Sequence, residues 1–258
     1  MRPFKQSFWT VSISIKIYFT YMKPIKQLLL AFSLMAISMG SGAQNLITRT
    51  LPEFHNISIM GKMRVELYKS DTSRIEFSIT DAPAENLITE VKNNILSIRL
   101  KTDTNKNSVI RVLVYYSTLT EIAVAANTLL VSNETITADK IKFIARSGAK
   151  MELDLNLKNL EADVKQGAIL VFSGKTNRQE VSVNTGATYS AYKLQSDDTY
   201  VTANSGSKAK VCAARIIDAV SNTKSYIGYI GVPVSIRIKT NIGGEIASFA
   251  SEEAVFEE

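Results

Sequence analysis

A short glycine-centred phrase recurs through the second half of the chain: Ser147-Gly148-Ala149, Gln166-Gly167-Ala168, Thr185-Gly186-Ala187 and Ser205-Gly206-Ser207. The glycines stand 19, 19 and 20 residues apart. A fixed period near 20 with strand-like filling predicts a solenoid, each repeat being one coil stacked on the last. Glycine after Ser, Gln or Thr suits a corner with positive φ, where a Cβ costs energy. Gly243, in Gly243-Gly244, is read as a further corner, while Asn127 and Thr223-Lys224 are degraded copies.

Alignment on the glycines places Ile122, Phe143, Ala162, Val181, Val201 and Ile238 at one coil position. Two residues later stand Val124, Ala145, Val164, Val183, Ala203 and Thr240, with a polar residue often between. Two inward columns around one outward column is the period-2 signature of stacked strands. The expectation is an all-β chain: a parallel β-helix of about seven coils over 120–250. Residues 44–119 form an irregular β-rich part before it. There Ile57–Ile59, Arg64–Tyr68, Ile75–Ile79 and Leu96–Leu100 alternate apolar with polar residues, Asp103–Ser108 is a polar break, and a strand follows to Tyr116. Only Ala84–Glu90 suits a short helical turn. Residues 251–258 read as an acidic tail.

The first 43 residues stand apart. Met22-Lys23-Pro24-Ile25-Lys26, an apolar run from Leu28 to about Met39, and Ser41-Gly42-Ala43 describe a secretory signal peptide over 22–43. Cleavage is placed between Ala43 and Gln44. The apolar run is shorter than the roughly 20 residues of a spanning helix, so no stable membrane span is expected in the mature chain. Residues 1–21 precede a complete signal with its own Met and are read as a start codon set too early. The formal charge of +6 is largely the leader's, since Arg2, Lys5, Lys16, Lys23 and Lys26 meet no acid there. The remainder is close to neutral, which argues against nucleic acid as a partner. Cys212 is the single cysteine of an exported chain, so no internal disulfide forms.

No constellation in the sequence encodes a reaction. His55, the one histidine, has no second His or thiol nearby in sequence for a metal or a nucleophile system. Cys212, between Val211 and Ala213, reads as a small buried hydrophobe. Asp197-Asp198 is the one tempting carboxylate pair. Neighbouring residues on a strand point apart, however, and a turn before Tyr200 explains both. No catalytic residue, metal or cofactor is therefore predicted. Tyrosine crowds consecutive coils at 189, 192, 200, 226 and 229. Aromatic stacking in the core competes there with an exposed ligand strip formed by Tyr189, Tyr192, Tyr226 and Tyr229. Residues 189 and 192 differ in parity, so both point outward only if a turn or bulge intervenes.

Phe54–Ile59 leading to Val65-Glu66-Leu67, the serial Ser-Gly-Ala corners, and Tyr229–Pro233 before a last Gly-Gly corner resemble one secreted bacterial family. It is the family described as putative auto-transporter adhesin, head GIN domain. The resemblance covers roughly Leu51 to Ile246. It implies an exported right-handed parallel β-helix at the bacterial envelope, periplasmic or on the surface, and supplies no catalytic residues. The reading that follows is a non-enzymatic, adhesin-like module whose partner is a glycan or an envelope protein, with self-association allowed. Two alternatives stand beside it: a polysaccharide-processing β-helix enzyme and a self-assembling structural β-helix. Thr223-Lys224 replaces a glycine corner and leaves the shape of that coil open.

Overall fold

The computed structural model describes residues 46–101 and 107–249. The leader, its cleavage site at Ala43 and Gln44, most of the polar break and the acidic tail lie outside the described residues. The chain runs through β1 (Ile47–Thr50), β2 (Asn56–Met60), β3 (Arg64–Lys69), β4 (Arg74–Thr80), β5 (Leu87–Lys92), β6 (Ile95–Leu100) and β7 (Val109–Tyr116). The repeat region supplies β8 (Glu121–Ala125), β9 (Leu129–Ser132), β10 (Ile136–Ala145), β11 (Lys150–Val164), β12 (Ile169–Val183) and β13 (Thr188–Ser190). It continues through β14 (Leu194–Ala203), β15 (Lys208–Cys212), β16 (Ile216–Asn222), β17 (Tyr226–Ile230), β18 (Ser235–Asn241) and β19 (Glu245–Phe249). A 3-10 turn at Ala84–Asn86 is the helical element within the span expected to hold one, and β5 takes the rest of it.

From β8 onward the strands stack in parallel as a β-solenoid of about seven turns. The first column read from the sequence is a real ladder: Ile122 pairs with Phe143, then Ala162, Val181, Val201, Ala219 and Ile238 follow in register. Interior aromatics stack across rungs, with Phe143 and Phe172 centroids 4.8 Å apart. Each large side chain buried this way contributes roughly 1.5–3 kcal/mol. β11 and β12 each run 15 residues by bending without breaking. At the bend Lys158 and Asn159 are both exposed, and pairing lapses at Lys158. That shift of parity returns the following residues, from Leu160, to the core.

The opposite corner of each coil is tight. Ser147-Gly148, Gln166-Gly167, Thr185-Gly186, Ser205-Gly206, Thr223-Lys224 and Ile242-Gly243 place both residues at positive φ, 49–56° at the first and 57–71° at the second. Thr223-Lys224 therefore keeps the geometry of the glycine corners. A Cβ at Gly167, Gly186 or Gly206 would meet nothing within 4 Å, so the demand for glycine there is conformational, not steric. Corner amides bond from coil to coil, as Gly186 N–H to the Ser205 carbonyl at 3.0 Å. The residue after the corner turns inward and is small: Ala149, Ala168, Ala187, Ser207 and Ser225 are buried.

The amino-terminal strands join the same stack in an order the chain does not follow. β2 lies between β6 and β8, parallel to both, and β3 lies likewise between β7 and β9. The coil of β2 and β3, first in the chain, is thus intercalated between two later ones. β4 and β5 pair antiparallel with β7 and β6, and β1 covers β4. Asn93 and Asn94, both with positive φ, make the two-residue turn of the β5–β6 hairpin. One hydrophobic core runs from Phe54 to Tyr229, so residue 120 marks a change of connectivity, not a break in packing.

Candidate binding face

The solenoid presents two long sheet faces. Face A carries β6, β2, β8, the second halves of β10, β11 and β12, then β14, β16 and β18. Face B carries β7, β3, β9, the starts of β11 and β12 (150–152 and 169–171), then β13, β15, β17 and β19. A short side stacks 136–138, 155–157, 174–176 and 194–196 between the two faces.

On face A the outward column reads Lys142, Glu161, Glu180, Tyr200, Asp218 and Arg237 in register. The next outward column places Asp163, Ser182 and Thr202 beside it. All of these except Arg237 line a groove of about 500 Å³. Tyr200 is half-buried at its centre, and the Arg178 guanidinium lies 4.1 Å from its ring centroid. The carboxylates of the groove are held by cations: Lys140 to Glu161 at 2.5 Å, Lys165 to Asp163 at 2.8 Å, Arg178 to Glu180 at 3.6 Å and Arg237 to Asp218 at 3.0 Å. The floor is flat β-sheet and the rungs are about 4.8 Å apart. Such a surface offers one aromatic ring among hydroxyl and carboxylate partners in a repeating array.

The tyrosine strip expected from the sequence is not formed. Tyr189 is fully buried, in register with Leu170 and Ala209, and its ring meets Phe172 edge-on at 5.8 Å. Burial pushes its hydroxyl well above the usual phenol range. Tyr229 is buried in register with Val211. Both occupy inward parity, and small Ala209 beside Tyr189 leaves room for the ring. Tyr192 lies on the outside but is buried against Gly228, where any Cβ would collide with its hydroxyl. Tyr226 alone of the four is half-exposed, between Lys208 and Glu245.

The other candidates resolve individually. His55 Nδ1 lies 2.8 Å from Thr118 Oγ1, and no cluster among the described residues could hold a metal. Cys212 corrects an expectation. Its side chain is only half-buried on the outward side of β15, and its carbonyl, not its thiol, enters the core. Burial pushes the thiol up, with a backbone hydrogen bond at Ser196 opposing. Asp197 and Asp198 sit within β14 and not in a turn, and they point apart as adjacent strand residues must. Asp198 is buried and accepts from Arg215 Nη2 at 2.5 Å.

Three polar arrangements were not read from the sequence. Asn204 donates to Asn184, Asn222 to Asn204, and Asn241 to Asn222, at 2.9, 2.7 and 2.6 Å, as a ladder beside the corners. Its signal is plain in retrospect: Asn stands two residues before Gly186, Gly206, Lys224 and Gly243. In the core, Gln179 is fully buried and fully engaged by Tyr189, Thr199 and the Cys212 carbonyl. On face B, Glu66 is buried under Arg64, Arg111 and Tyr68. Desolvation pushes its carboxyl up, but the hydrogen bonds from Arg111, Arg64 and Tyr68 outweigh it and hold the group at about 2.

Known proteins share this architecture. A putative adhesin of Bacteroides fragilis NCTC 9343 superimposes with a TM-score of 0.72 at 16% identity, covering 80% of this chain and 98% of that one. A putative adhesin of Parabacteroides distasonis ATCC 8503 gives 0.66 at 19%, covering 81% and 98%. A putative lipid binding protein of the same organism gives 0.63 at 18%, again covering 81% and 98%. At these identities the likeness shows the fold. No curated protein matches the sequence. The family model described as putative auto-transporter adhesin, head GIN domain, matches residues 53–233, and the chain belongs to that family.

Proposed function

We propose that the protein is an exported, non-enzymatic module of the bacterial envelope that binds a glycan along the groove of face A. The observation that carries this reading is Tyr200, a half-buried ring set between Glu180 and Asp218, beside Thr202 and against the Arg178 guanidinium. Sugars are recognised by an aromatic face for their C–H surface and by hydroxyl and carboxylate groups for their hydroxyls. The rungs stack carboxylate and hydroxyl groups on either side of this single ring without closing a pocket, which suits weak contacts spread along a polymer. The family membership supports contact with a surface partner. Against the enzyme alternative, the groove lining includes no histidine or cysteine, and its carboxylates are engaged in ion pairs. No helix among the described residues is long and apolar enough to cross a membrane.

A glycan array with the exported protein is the test, run beside Tyr200→Ala and with the same glycans assayed for cleavage. Binding lost in Tyr200→Ala with every glycan left intact is the expected result. Cleavage products, or binding indifferent to Tyr200, would replace this reading. Export itself predicts a chain beginning at Gln44, and amino-terminal sequencing that found Met22 retained would contradict it.

A further inference from the structure

The two ends of the solenoid are finished differently. At one end β6 and β7 carry the antiparallel strands β5 and β4, with β1 beyond β4. At the other, β18 and β19 pair with β16 and β17 on one side, and no further ladder follows among the described residues. The core columns stop there in the open: Ile236 is 54% and Ile238 45% exposed. Val234 and Ile242 flank them at 90% and 79%. An unpaired backbone edge over an apolar cross-section is what natural sheets conceal.

We propose that this end is a dimerisation surface for a second copy of the chain, joined end to end about a two-fold axis. The second copy presents the same cross-section, so Ile236 and Ile238 at the end of β18 are covered by its β19, whose inward side carries Ile246. The β6–β7 end carries antiparallel strands in place of the parallel coil cross-section, so it does not match the β18–β19 end, which favours an isologous pair over a head-to-tail fibre. The charges agree. β18 presents Arg237 and Lys239 outward, with Arg237 also bound to Asp218 at 3.0 Å, while β19 presents Glu245. A two-fold axis in the plane of the end can set β18 of one copy against β19 of the other, cation facing acid. Setting β18 against itself would oppose Lys239 and Arg237.

Light scattering on the chain purified from the exported fraction, at micromolar concentration, is expected to give twice the monomer mass. Ile238→Lys is expected to give the monomer mass with an unchanged circular dichroism spectrum, since that side chain is already half in solvent. Glu245→Lys should raise the dimer Kd by about tenfold or more, and adding Lys239→Glu should recover it. A wild-type monomer overturns the proposal, and it is also the outcome if residues 250–258 or an unrelated protein occupy this end. A dimer unaffected by both Ile238→Lys and Glu245→Lys overturns it equally.

Discussion

Tyr189 donates its hydroxyl to Gln179 Oε1 at 2.9 Å in the interior of the solenoid, ten residues along the chain and one coil apart. Gln179 Nε2 passes the connection to Thr199 Oγ1 at 2.9 Å and to the Cys212 carbonyl at 3.1 Å. A buried amide is tolerated because each of its groups has a partner. Tyr189→Phe keeps the ring and leaves the Gln179 oxygen bare, so it is expected to cost about 1–2 kcal/mol. Chemical denaturation of the two proteins checks this. Equal midpoints would mean that the network contributes nothing to folding.

The corners separate two reasons for glycine. Gly186→Val places a β-branched residue at φ 66° with open space around it, costing on the order of 1–3 kcal/mol of backbone strain. Gly186→Asn should cost less than about 1 kcal/mol, because Asn tolerates this region and Asn127 already adopts φ 60° at an earlier corner. Gly174→Ala is a different case. At φ 102° its Cβ would be driven into the Leu155 carbonyl of the neighbouring coil, and about 2–4 kcal/mol is expected. Melting temperatures should fall in that order, with Gly186→Asn highest.

Rung position should matter in the asparagine ladder. Asn222 both accepts from Asn241 and donates to Asn204, whereas Asn241 has only the lower of these bonds within the ladder. Asn222→Ala is expected to destabilise by about 1–2 kcal/mol and Asn241→Ala by about half that. Hydrogen exchange at the corner amides gives a local readout. Identical effects at the two positions would show that the ladder is ornamental to stability.

Glu66 gives a pH signature. Its carboxyl sits at about 2 in the folded chain against an ordinary value of 4.5. Because the folded value is depressed, its contribution is fully present above pH 4.5 and is lost as pH falls toward 2. Arg64 and Arg111 are about half-exposed, so screening reduces the contribution to about 1–2 kcal/mol. Wild-type stability should therefore drop across pH 4.5 to 2 more steeply than that of Glu66→Gln. Parallel pH profiles for the two would remove Glu66 as the cause.

The apolar columns and the glycine corners were legible in the sequence. Ile122 through Ile238 could be aligned by counting from the corner glycines, because parallel in-register stacking makes each coil a local copy of its neighbour. Pairing then follows from spacing alone. The family could be read because its motifs, from Phe54–Ile59 to Tyr229–Pro233, are short runs that need no knowledge of which strands pair. The tertiary structure decided what does not repeat. The Thr120 amide reaches the His55 carbonyl at 2.8 Å, 65 residues earlier, because β2 and β3 are inserted between later coils. Backbone hydrogen bonds are indifferent to sequence distance, and an alternating pattern records which side of a strand is buried without naming the strand beside it. The tyrosines show the same limit. Each bend and corner resets the inward parity, so Tyr189 and Tyr229 went to the core, Tyr192 lay down over Gly228, and Tyr200 was left to face the groove.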